Sequence, residues 1–126
     1  MSCSILVVDD DLGLRALLRH MLELSGFQVV EAVDGVDALE QMMVCQPDLM
    51  ILDVMMPRMD GIAVCKTLRR ARETADFPII MLSGKTNRTA VQEGLDAGAN
   101  KYLEKPMSFE LLIQTIKELV SEADHY

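Results

Sequence analysis

The chain has few aromatic residues, no tryptophan and no long apolar run. Phenylalanine and tyrosine make up 4% of its 126 residues, which is too few for a surface on which bases or a flavin ring would stack. No uninterrupted apolar stretch exceeds four residues, whereas a helix that spans a membrane needs about 20. The first residues also lack a basic segment followed by an apolar one, so the sequence predicts neither a membrane span nor a signal peptide.

Positive charge is scarce as well. Twelve Lys and Arg residues stand against 20 Asp and Glu, which gives a formal net charge of −8. This balance predicts no binding to nucleic acid or to an anionic membrane surface. The three cysteines, Cys3, Cys45 and Cys65, are odd in number and have no metal-ligand spacing. They predict reduced, half-buried thiols in a cytoplasmic protein.

The sequence does contain two hydrophobic periods that alternate along the chain. Short apolar runs rich in β-branched residues predict buried strands of a parallel sheet, at residues 4–8, 28–32, 48–53, 78–82 and 100–104. Apolar residues at helical spacing predict a helix that begins near Asp10 or Asp11, followed by helices at residues 36–45, 61–72, 87–97 and 107–123. Residues 1–126 therefore predict a single α/β domain, a doubly wound, five-stranded parallel sheet with helices on both faces.

Two further expectations concern side chains on and beside the helices. The spacing of apolar residues predicts that the core face of the second helix is formed by Ala38, Leu39, Met42 and Met43. The basic residues of the third helix, such as Arg69, are predicted to be solvated, and Asp34 in the turn before the second helix is predicted to face solvent.

Polar and charged residues stand at the carboxyl ends of four predicted strands, which is the edge where open α/β sheets bind their ligands. In chain order they are Asp9, Asp10, Asp11, Asp53, Ser83 and Lys105. Carboxylates gathered at one edge repel one another unless a cation joins them, and Mg²⁺ accepts carboxylates together with water and phosphate oxygens. An ammonium group and a hydroxyl beside them suit the outer oxygens of a phosphoryl group.

Four segments that contain these residues resemble the receiver domain of response regulators, the signalling proteins of two-component systems. The segments are VVDDD at 7–11, LDVMMPRMDG at 52–61, MLSG at 81–84 and YLEKP at 102–106. They occur in the family's order and spacing, and the resemblance covers essentially the whole chain. It implies the flavodoxin-like (βα)5 fold with strand order 2-1-3-4-5.

The resemblance also implies an acceptor and a metal site. Asp53 is then the aspartate that takes up a phosphoryl group, as a carboxylate nucleophile. Asp9, Asp10 and Asp53, together with the backbone carbonyl of Met55, are then the protein ligands of Mg²⁺ or Mn²⁺. Asp11 is expected to cap the first helix instead.

The remaining site residues are implied to respond to phosphorylation. Lys105 is expected to pair with Asp53 and then with the phosphoryl group, and Ser83 to donate a hydrogen bond to a phosphoryl oxygen. Tyr102 is expected to turn inward when Ser83 moves. The surface formed by the fourth helix, fifth strand and fifth helix would then repack.

The implied function is that of a signalling switch with no turnover beyond self-phosphorylation and slow autodephosphorylation. The expected phosphoryl donor is a sensor histidine kinase or a histidine phosphotransfer protein. The output would be an unidentified effector domain or downstream protein, reached by a monomer or by a phosphorylation-dependent dimer. Asn100 and Lys101 replace the acidic pair that is usual in relatives that dimerise to bind DNA, which weakens assignment to that subfamily.

Two alternatives stay open beside this interpretation. The first is an intermediate receiver that passes the phosphoryl group on to a histidine phosphotransfer protein. The second is an aspartyl-nucleophile phosphohydrolase, which is disfavoured because that class has an acid two residues after the nucleophile, where this chain has Met55.

Overall fold

Five strands alternate with five helices in the computed structural model, which describes residues 3–84 and 87–123, with side chains up to residue 120. The strands are β1 (Ser4–Val8), β2 (Gln28–Ala32), β3 (Leu49–Asp53), β4 (Ile79–Ser83) and β5 (Lys101–Glu104). The helices are α1 (Leu12–Leu24), α2 (Gly35–Cys45), α3 (Gly61–Arg70), α4 (Arg88–Ala97) and α5 (Phe109–Ala123), with a 3-10 turn at Arg72–Thr74. The predicted bounds differ from these by at most two residues.

All neighbouring strands are parallel, and the sheet order is β2-β1-β3-β4-β5. The predicted fold class and strand order are therefore confirmed. The register pairs Val8 with Leu52, Asp53 with Leu82 and Ser83 with Glu104. Strands β1, β3, β4 and β5 therefore end at one common edge of the sheet, and the residues that follow them are brought together there.

The sheet is buried between two layers of helices. Alternate residues of β1 point to opposite layers: Ile5 and Val7 pack with α1 and α5, whereas Leu6 and Val8 pack with α2, α3 and α4. All five residues of the central strand β3 are buried. A strand covered on both faces has no solvent side, and this explains its uninterrupted apolar run.

A side-chain cap begins each helix, by accepting a hydrogen bond from the backbone N–H three residues farther on. The capping residues are Asp11, Asp34, Asp60, Asn87 and Ser108. The prediction for Asp11 is thus confirmed. The prediction that Asp34 faces solvent is wrong, because Arg58 covers its carboxylate and leaves Asp34 only 5% exposed.

Two predictions for α2 and the cysteines also fail. Met43 is 82% exposed, because the helix turns its core face to the sheet through Ala38, with Leu39 and Met42 half-buried beside it. The prediction of half-buried cysteines holds only for Cys3, because Cys45, the last residue of α2, is exposed and Cys65 is fully buried.

The basic face of α3 is only partly solvated, so that prediction is wrong for Arg69. Its guanidinium donates to the backbone oxygens of Gly98 at 3.0 Å and Thr74 at 3.1 Å, and to Oδ1 of Asn100 at 3.0 Å. The same Asn100 oxygen accepts from the backbone N–H of Ile79 at 2.8 Å. Arg69 thereby joins the end of α3 to the turn before β5. The other basic residues of this segment are exposed, namely Lys66, Arg70 and Arg72.

Across residues 3–84 and 87–123, none of the helices combines the length and the apolar character needed to cross a membrane.

Candidate functional site

Three carboxylates meet where β1 and β3 end. The register that pairs Val8 with Leu52 places Asp9 and Asp10 beside Asp53, and a carboxylate oxygen of each lies within 4.8 Å of those of the other two. Asp9 is 2% exposed and Asp53 7%, whereas Asp10 is exposed to solvent. The cluster therefore has two buried carboxylates and one that solvent can reach. Its hard oxygen donors fit a divalent cation such as Mg²⁺.

Lys105 supplies a positive charge to this cluster. Its Nζ lies 3.0 Å from Oδ2 of Asp9 and 3.4 Å from Oδ1 of Asp53. The backbone N–H of Lys105 donates to the carbonyl oxygen of Ser83 at 2.8 Å, which fixes the chain after β5 next to the end of β4. The Lys105–Pro106 peptide bond is cis. Lys105 thus contacts Asp53, as the resemblance implies, but Asp9 is its nearer partner.

The electrostatics of the cluster raise the pKa of Asp53. Burial of the carboxyl is the largest cause and the neighbouring charge of Asp9 the second, and together they outweigh the opposing effect of Lys105. Burial alone would lower the pKa of Lys105, but its hydrogen bond to Asp9 and the charges of Asp53 and Asp9 raise it. The ammonium group therefore stays protonated, and an added cation would relieve the repulsion between the two buried carboxylates.

The Asp9 carboxylate is engaged on both oxygens. Its Oδ1 accepts from the backbone N–H of Asp11 at 2.9 Å, and its Oδ2 accepts from Lys105. The backbone N–H of Asp9 donates to the carbonyl oxygen of Ala32 at 3.2 Å. Asp9 is consequently the most firmly oriented of the three carboxylates.

The other predicted site residues lie at the same edge or beside it. Ser83 ends β4 and is 1% exposed, and the residue after it, Gly84, has open space where a Cβ would stand. Met55 is 56% exposed, with its backbone N–H 3.4 Å from Oδ1 of Asp53. Tyr102 lies within β5, and its half-buried ring is close to Gly94 of α4.

Sequence reasoning missed one buried contact to this site. Arg15 on α1 is only 9% exposed, and its Nη1 donates to the backbone oxygen of Asp9 at 2.7 Å. A signal was present, since Arg15 lies three and seven residues before Leu18 and Leu22, on the buried face of the helix. An arginine on an apolar face indicates a buried polar partner.

The family model of the response regulator receiver domain matches residues 5–117. The response regulator MprA of Mycobacterium ulcerans is 45% identical over 120 residues, which cover 95% of this chain and 51% of that protein. MprA of Mycobacterium leprae is 45% identical over 116 residues, covering 92% of this chain and 50% of that protein. The chain spans about half the length of these curated relatives.

Solved structures agree with this match. The signal receiver domain of a signal transduction histidine kinase from Syntrophus aciditrophicus has a TM-score of 0.90 and 32% identity, covering 96% of this chain and 92% of that one. The chemotaxis response regulator CheY4 of Vibrio cholerae has a TM-score of 0.87 and 34% identity, covering 94% of this chain and 99% of that one. The chain belongs to the response regulator receiver domain family, the signalling switches of two-component systems.

Proposed function

We propose that Asp53 is the phosphoryl acceptor of this receiver domain. The observation that carries the proposal is its buried carboxylate, which has Asp9, Asp10 and Lys105 around it at the carboxyl edge of the sheet. An Asp53 oxygen forms a P–O bond while the P–N bond of a partner's phosphohistidine breaks. The imidazole nitrogen keeps the electron pair and takes up a proton.

Asp9, Asp10, Asp53 and the backbone carbonyl of Met55 would hold Mg²⁺ or Mn²⁺. The donor set supports this assignment because it consists of oxygens, two of them on buried carboxylates that repel each other. When bound, the ion offsets the negative charge that builds up as phosphoryl oxygens approach these carboxylates.

Lys105 and Ser83 would receive the phosphoryl oxygens. Lys105 lies 3.4 Å from Asp53 and 3.0 Å from Asp9, so its ammonium group is close to any group that becomes attached to Asp53. The Ser83 hydroxyl stands at the adjacent strand end, next to the open space at Gly84. Movement of Ser83 and then of Tyr102 would repack the surface of α4, β5 and α5, which is how a local charge change becomes a signal.

The donor would be a histidine kinase or a histidine phosphotransfer protein in the cytoplasm. The recipient of the signal would be an effector domain or a separate protein, reached by a monomer or by a dimer that forms on phosphorylation. The greater length of the curated relatives supports an effector in the same polypeptide.

Intact-mass measurement after incubation with acetyl phosphate or phosphoramidate tests the acceptor. We expect the wild type to gain the mass of one phosphoryl group in the presence of Mg²⁺ and to gain nothing with EDTA. Asp53→Asn should show no gain. Asp48→Asn is the matched control, because Asp48 is an exposed aspartate just before the same strand. A wild type that stays unmodified with Mg²⁺, or an Asp53→Asn variant that gains the mass, overturns the proposal.

A relay function is the second candidate, because one similar solved structure is the receiver domain of a histidine kinase. Phosphorylated protein incubated with a histidine phosphotransfer protein would then lose its phosphoryl group to the partner's histidine. Continuous hydrolysis of a phosphate ester would instead indicate a phosphohydrolase.

A further inference from the structure

Arg15 joins the acidic cluster to the neighbouring edge strand. Its Nη1 donates to the Asp9 carbonyl oxygen at 2.7 Å, and its Nε donates to Oε1 of Glu31 on β2 at 2.9 Å. The side chain is 11% exposed, so these hydrogen bonds are shielded from water. Arg15 contacts the backbone of Asp9 and not its carboxylate, which accepts from Lys105 and from the N–H of Asp11.

A second arginine bonds the same glutamate. Arg19 Nη1 donates to the other Glu31 oxygen at 2.6 Å, and Arg19 Nε lies 3.4 Å from Oε1 of Glu23. Burial alone would raise the pKa of Glu31, but the hydrogen bonds from Arg19 and Arg15 lower it. Glu31 is therefore ionised at neutral pH and pairs with both arginines.

The carbonyl that Arg15 holds belongs to the peptide group that links Asp9 to Asp10. A peptide group is planar, so fixing its oxygen also fixes its N–H and limits the adjoining torsions of both residues. The same segment is held on its other side by the hydrogen bond from Asp9 N–H to the Ala32 carbonyl. Both aspartates thus project from a peptide that is fixed before any ligand arrives.

We propose that Arg15 is a positioning residue for the metal site: it orients the Asp9–Asp10 peptide so that both carboxylates converge with Asp53. The inference rests on the metal site of the proposed function and adds a residue outside the ligand set. Groups that orient metal ligands typically change metal affinity by 10–100-fold when removed.

Arg15→Met and Arg19→Met form a matched pair for the test. Both remove an arginine from α1 that bonds Glu31, but only Arg15 contacts Asp9. Mg²⁺ dissociation constants would be measured by isothermal titration calorimetry, on variants whose far-UV circular dichroism shows a folded domain. We expect Arg15→Met to weaken Mg²⁺ binding about tenfold or more and Arg19→Met to leave it within about twofold of the wild type.

Arg15→Lys serves if Arg15→Met does not fold. A lysine keeps the charge but cannot bond Asp9 and Glu31 together in the planar geometry of a guanidinium, so we expect several-fold weaker Mg²⁺ binding. The rise in Tm on addition of Mg²⁺ should shrink in the same order. Equal dissociation constants for wild type and both Arg15 variants overturn the positioning role while the metal site stands. Absence of Mg²⁺ binding in the wild type overturns the metal site and this inference with it.

Discussion

Arg58 donates two hydrogen bonds to the Asp34 carboxylate, from Nε to Oδ2 at 2.6 Å and from Nη2 to Oδ1 at 3.0 Å. Asp34 caps α2, whereas Arg58 lies in the loop that follows Asp53, with a left-handed φ of 64°. That conformation is unfavourable for a residue with a side chain. The ion pair therefore stabilises the course of the loop next to the acidic cluster.

Arg58→Met should lower Tm at pH 7, and the deficit should shrink in acid. Arg58 holds the pKa of Asp34 below its ordinary value, chiefly through their hydrogen bonds. A carboxyl group whose pKa is lowered in the folded state stabilises the fold at pH values above its pKa in the unfolded state. This stabilisation is lost as the pH falls through its pKa in the folded state. Thermal unfolding of both proteins from pH 7 to pH 3 measures the deficit. A deficit that is independent of pH would contradict the ion-pair explanation.

Asp53→Asn should raise Tm by a few degrees at pH 7 in the absence of divalent ions. Burial and the charge of Asp9 raise the pKa of Asp53, so the folded state holds its proton more strongly than the unfolded state. The stability of the fold then decreases as the pH rises from the pKa of Asp53 in the unfolded state to its pKa in the folded state. At pH values above both pKa values the loss of stability is complete. Differential scanning calorimetry with EDTA checks the rise, with Asp48→Asn as control. A lower Tm for Asp53→Asn would show that the interaction with Lys105 outweighs the cost of burying the Asp53 carboxylate beside Asp9.

Arg69→Met should lower the free energy of unfolding by about 1–3 kcal/mol, because the three hydrogen bonds that the guanidinium donates are lost. Arg70→Met, at the next and exposed position, should stay within about 0.5 kcal/mol of the wild type. Urea unfolding monitored by circular dichroism compares the two. Equal losses would show that Arg69 acts only as part of a generally basic helix surface.

The fold was predictable because its determinants are local. The apolar runs of β3 and β4 are buried on both faces, and the caps lie where a short polar residue precedes a helical period. The strand ends that carry Asp9, Asp53 and Lys105 follow from the same pattern, so the sequence predicted their convergence. The roles of these residues in phosphoryl transfer stay predictions.

Several of the missed contacts join residues that are distant in sequence. Arg58 and Asp34 are 24 positions apart, Arg15 and Glu31 are 16, and the Arg69 guanidinium reaches the turn after α4. An arginine can reach many acceptors, and which one it meets depends on how the loops pack. Periodicity therefore indicates that Arg15 is buried but does not identify its partner.

Gly94→Ala should destabilise the domain although alanine is the better helix former. The substitution favours an isolated helix by about 1 kcal/mol. In α4, however, a Cβ would stand 2.7 Å from Cδ2 of Tyr102 and 2.8 Å from Sδ of Met81. The ring would have to move, and overpacking of this kind costs about 1–3 kcal/mol.

Two further variants separate the clash from helix propensity. Gly13→Ala in α1 is the control, because its nearest neighbour would be Oδ1 of Asp11 at 3.4 Å, an ordinary contact. In a Tyr102→Ala background the ring is gone, so Gly94→Ala should lose most of its effect in urea unfolding. A loss that persists in that background would assign the clash to Met81. If Gly94→Ala lowers the free energy of unfolding in neither background, the Tyr102 ring moves freely. In that case α4 does not restrain Tyr102, the residue proposed to respond to Ser83.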